Sequence, residues 1–121
     1  MMDEEHKVNE EDIFFIRVPD NEKANYEYLS VNMPHVKSYS FTEDEAWFLM
    51  TLFDRFNKKF GILIDLYEDD YIKPEHLSEA IEMTKAFAAE NAGCPFDDAI
   101  KRFTEAAELA LANQVWLIFD F

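Results

Sequence analysis

The sequence has little glycine, little positive charge and almost no cysteine. Only Gly61 and Gly93 occur in 121 residues, so no glycine-rich loop can be assembled to cradle a phosphate. The single cysteine, Cys94, excludes an intramolecular disulfide and leaves a cysteine-based zinc site short of ligands. Lys and Arg number 11 against 26 Asp and Glu, for a formal net charge of −15. That balance repels a nucleic-acid backbone and an anionic membrane surface alike. No apolar run comes near the ~20 residues of a membrane-crossing helix; Val115–Phe119 is among the longest. The start, with Asp3, Glu4, Glu5, Glu10, Glu11 and Asp12 against Lys7, lacks the basic and then apolar pattern of a secretory leader. These absences predict a soluble, cytoplasmic protein without cofactor or metal.

What is present is a hydrophobic fraction of 49% with 12 Phe, too rich for a disordered acidic chain and enough for one core. Residues 1–12 are expected to be an acidic, flexible tail, and 13–121 a single domain. Ile13–Val18 is β-branched and aromatic and stops at Pro19, as a strand does. Tyr26–Met33 alternates up to Pro34 and predicts a second strand, hairpinned with the first. Thr42–Glu45 is a T-x-x-E capping box. Leu49, Leu52, Phe53, Phe56 and Phe60 follow at helical spacing, and Gly61 supplies a left-handed stop. The first helix is therefore Glu43–Phe60.

Ile62–Tyr67 reads as a short strand and Glu68–Asp70 as a loop. Pro74 opens a second helix whose face is Leu77, Ala80, Ile81, Thr84, Phe87 and Ala88, and Gly93 ends it. Phe96, Ile100, Phe103, Ala107 and Ala110 define a third helix, antiparallel to the second across Gly93-Cys94-Pro95. Val115–Asp120 closes the chain as an apolar strand. The sum is an α+β fold, a mixed four-stranded sheet packed against three helices in the order β-β-α-β-α-α-β.

No catalytic set is legible. His6, His35 and His76 share neither a helical face nor a short spacing. Asp65, Glu68, Asp69 and Asp70 fail the calcium-loop pattern, because Tyr67 falls at the third position and Asp70 at the sixth. Cys94, between Gly93 and Pro95, is read as a turn residue. One enzyme or ligand-binding alternative survives, a pocket between sheet and helices around Asp65 or Thr84. The chain is otherwise read as no enzyme.

The acidity is localised. Glu43, Asp44, Glu45, Glu75, Asp97 and Asp98 fall in first turns of helices, where they complement the helix dipole. The tail and the Asp65–Asp70 segment carry more than half of the net charge, and nothing in the expected fold asks for it there. With Tyr67 and Tyr71 beside the acids, the composition suits protein binding.

In size, acidity and α+β plan the chain resembles the immunity proteins of bacterial toxin–immunity systems, without a signature motif. Such proteins bind a cognate toxin, often a basic nuclease, and occlude or distort its active site. The resemblance implies a basic protein partner, and Asp65, Tyr67, Glu68, Asp69, Asp70 and Tyr71 are the residues expected to face it. The chain itself would be a monomer, or a homodimer if the C-terminal strand lies at a sheet edge.

Overall fold

The computed structural model describes residues 14–21 and 36–121. Along the chain come β1 (Phe14–Pro19), β2 (Val36–Phe41), α1 (Glu43–Phe60), β3 (Asp70–Ile72), α2 (Pro74–Glu90), α3 (Asp97–Asn113) and β4 (Leu117–Asp120). Class and element order are those expected. The sheet runs β2-β1-β4-β3, and every pairing is antiparallel, which corrects the expectation of a mixed sheet. The reason is the helix pair between β3 and β4. Two helices of 17 residues each fold back on one another and return the chain to the end of the sheet it left, so β4 runs against β3. A single crossover helix would have made the pair parallel.

β4 lies between β1 and β3 and has no free edge, which removes the expected route to a homodimer through that strand. The strand expected at Tyr26–Met33 lies outside the described residues. The neighbour that β1 pairs with over its full length is Val36–Phe41, in register from Phe14 opposite Phe41 to Pro19 opposite Val36.

α1 begins and ends as its sequence dictates. Thr42 Oγ1 accepts from the Glu45 amide at 3.2 Å and Glu45 Oε1 accepts from the Thr42 amide at 2.9 Å. Gly61, at φ 69°, donates its N–H to the Asn57 carbonyl, a left-handed conformation that costs glycine nothing. α2 ends at Glu90 rather than at Gly93 as expected, because Asn91 caps it, donating its N–H to the Phe87 and Ala88 carbonyls.

The apolar stripes of all three helices share one core with Ile16, Val18, Leu117 and Phe119 of the sheet. Aromatic rings join the layers. Phe53 of α1 meets Phe119 of β4 edge-on at 5.1 Å, and Phe103 of α3 at 5.4 Å. Arg102 of α3 fastens the corner where β2 enters α1. It pairs with Glu45 at 2.6 Å and Asp98 at 2.9 Å, donates to the Ser40 carbonyl, and lies 4.9 Å over the Phe41 ring. Glu45 thus caps α1 with one oxygen and ties α3 with the other.

Candidate functional site

The segment between α1 and β3 is not the strand expected at Ile62–Tyr67. It contains one isolated bridge, Asp65 to Glu68, and the ladder begins only at Asp70. Side chains take the backbone groups a ladder would have used. Asn57, on the last turn of α1, accepts from the Ile64 amide at 2.6 Å and donates to its carbonyl at 2.9 Å. Asp70 Oδ2 accepts from Leu63 N and Oδ1 from Tyr71 N, at 2.8 and 2.7 Å. Asp65 Oδ1 accepts from Leu66 N at 2.8 Å. Tyr67 then takes φ 70°, a left-handed conformation that ends any extended run and is costly for an aromatic residue.

Apolar alternation survives without the ladder. Ile64 and Leu66 are buried, Leu66 in a small cluster with Phe14 of β1 and Ala46 of α1. With those two inside, Leu63, Asp65 and Tyr67 face out. Tyr67 sets its ring edge-on to Phe14 at 5.5 Å and donates its hydroxyl to Glu43 Oε2 at 3.0 Å. Glu43 and Trp47 lie one turn apart on α1. Asp54, two turns beyond Trp47, lines an open depression of about 230 Å³ with Asn57, Leu63, Ile64, Asp65 and Glu68.

One contiguous surface results. The three large hydrophobic side chains most exposed among the described residues all lie on it: Trp47 at 56%, Leu63 at 76% and Tyr67 at 66%. Glu43, Asp54, Asp65 and Glu68 are set among them. Asp54 and Glu68 have no side-chain ion pair or hydrogen bond among the described residues. Exposed apolar and aromatic side chains set among carboxylates have a composition met on protein-binding surfaces.

The six residues singled out in the sequence are not brought together on one surface. Asp65, Tyr67 and Glu68 belong to this surface. Asp70 turns inward to the loop amides, so its charge does have a use within the fold. Asp69 and Tyr71 belong to the opposite face of the sheet. There Tyr71 stacks on Trp116 at 4.3 Å, and Asp69 hydrogen-bonds Asp120, which is itself paired with Arg17 at 2.8 Å. Burial and the neighbouring Asp120 push the Asp69 carboxyl above the ordinary aspartate value, against smaller opposing effects of the Phe121 amide and Arg17.

Leu63, Glu43 and Asp54 were missed as site residues. Leu63 reads as strand interior, Glu43 has a sufficient explanation in the helix dipole, and Asp54 stands four residues before Lys58, an order that itself favours a helix. The sequence signal that could have found this surface is Trp47, which follows Glu43, Asp44 and Glu45 and stands off the Leu49–Phe60 stripe.

Asp65 is exposed rather than enclosed between sheet and helices. Thr84 is buried, but its hydroxyl donates to the Ala80 carbonyl one turn back at 2.8 Å, which accounts for it within α2. His76 lies flat on Phe60 at 4.7 Å. No group of His, Cys, Asp and Glu among the described residues is placed to hold a metal ion, and no helix there is long and apolar enough to cross a membrane. No protein-family model, curated protein or solved structure matches this chain.

Proposed function

We propose that this chain is a small acidic interaction protein that binds and neutralises a basic protein partner, as an immunity protein does a cognate toxin such as a nuclease. The observation that carries this reading is the gathering of Trp47, Leu63 and Tyr67 with Asp54, Asp65 and Glu68 on one face. Apolar side chains left in water at the centre of a patch supply binding energy when a partner covers them. The surrounding carboxylates steer a cationic partner and set its orientation. The same acids repel nucleic acid, so the chain would compete for the partner's basic surface without binding the partner's substrate.

The test begins with the gene adjacent to this one, where a secreted protein with a basic C-terminal domain is expected. Co-expression of the chain should protect cells from that domain. Asp54→Lys, Asp65→Lys and Glu68→Lys together should lower affinity at least ~10-fold, chiefly through a slower, less salt-sensitive association rate. The thermal midpoint should fall only modestly, because Asp54 and Glu68 are exposed and Asp65 gives up one hydrogen bond, from the Leu66 amide. Affinity that survives the triple reversal rules this face out as the binding surface.

A further inference from the structure

The three arginines of this protein are used in one way. Arg17 lies 4.5 Å over Phe15 and pairs with Asp120 at 2.8 Å. Arg55 lies 5.5 Å from the Phe87 ring centre and makes a two-pronged pair with Glu90 at 2.9 and 3.0 Å. Arg102 lies 4.9 Å over Phe41 between Glu45 and Asp98. Each guanidinium thus has its central carbon over a phenylalanine ring and its N–H groups paired with a carboxylate. That geometry follows from a planar, weakly hydrated cation whose N–H groups point outward in its own plane.

The surface around Trp47 offers the same pair of features with no cation in place. The Trp47 ring is more than half exposed and carries no cation among the described residues. Glu43 is one turn before it, Asp54 two turns after it, and Glu68 lines the depression beyond. We infer that the basic partner engages this surface through arginine: a guanidinium seated on Trp47, with its edge toward Glu43, and a neighbouring cationic side chain in the depression between Asp54, Asp65 and Glu68. The inference rests on the interaction-protein reading and narrows it to the partner's side-chain chemistry. Lysine would satisfy the carboxylates as well as arginine does. It stacks less well on the ring, because an ammonium is compact and strongly hydrated.

Two fluorescein-labelled peptides of equal length and charge test this, one with arginines and one with lysines spaced by glycine and serine. Their affinities for the full chain are measured by anisotropy at low ionic strength. The arginine peptide should bind roughly two- to fivefold tighter. Trp47→Leu, which keeps an apolar side chain at an exposed site, should bring the two affinities together, whereas Trp116→Leu should keep them apart. Glu68→Lys should weaken both peptides alike. Equal affinities for the native chain, or a preference that survives Trp47→Leu, overturn the arginine inference and leave the basic-partner reading standing. Failure of both peptides to bind overturns the inference and, together with loss of cell protection, the reading beneath it.

Discussion

Asp70 turns its carboxylate inward to the amides of Leu63 and Tyr71, whereas Asp69 meets a second carboxyl group at Asp120. Sequence neighbours of identical chemistry therefore have different hydrogen-bond partners. Asp69 loses water and faces a like charge, so the folded protein holds a proton there more tightly than the unfolded chain does. Stability attached to this group is greatest below the ordinary aspartate range and falls as pH rises through Asp69's elevated value. Asp69→Asn removes that penalty. Its melting temperature should exceed the parent's at pH 7, with the gap closing as pH is lowered into the ordinary aspartate range, about 4. Circular dichroism melts over that interval check it, and a gap independent of pH contradicts it. None of this was legible in the sequence, where Asp65–Asp70 is a single run of like charge.

At the scale of elements, capping chemistry and periodicity located α1 to the residue, because a capping box and a left-handed glycine are local devices. Helices α2 and α3 followed from 3.6-residue spacing. The stretch after α1 did not follow from its alternation. Alternation records which side chains are buried, and Ile64 and Leu66 are buried. Strand assignment also needs a partner for the backbone, and here Asn57 and Asp70 serve instead. Asn57→Ala would leave the N–H and C=O of Ile64 without their side-chain partners. A loss of about 1–3 kcal/mol is expected in urea unfolding, with faster amide exchange at Ile64 than at Phe53. Under the proposed function the same variant should also weaken binding of a basic partner, since Leu63, Asp65 and Tyr67 are presented by this loop. Unaltered stability would show that the clamp is dispensable.

For the whole molecule, the core depends on rings that join layers rather than on any one element. Phe53 touches Phe103, Phe119 and Phe121 at 5.1–5.9 Å between ring centres, bringing together α1, α3 and the C-terminal strand. Phe53→Ala should cost roughly 3–5 kcal/mol through lost burial and the remaining cavity. A domain of this size has a total stability of about 5–15 kcal/mol, so the variant should unfold at much lower urea, or not fold cooperatively at 37 °C. Glu68→Lys, by contrast, should leave the urea midpoint nearly where it was. That contrast separates residues that make the fold from residues the fold displays.

By itself the sequence determined the α+β class, the order of elements, the span of α1 and the burial of the last strand. All of these rest on local periodicity, capping and apolar content. Antiparallel pairing throughout, the central place of β4 and the loss of the Ile62–Tyr67 strand were decided by which backbone groups found partners far along the chain. The candidate surface belongs to the same category. Glu43, Trp47 and Asp54 come from α1, and Leu63, Asp65, Tyr67 and Glu68 from the loop after it. They form one face because Leu66 is packed beside Phe14 and Ala46 and holds that loop against the helix.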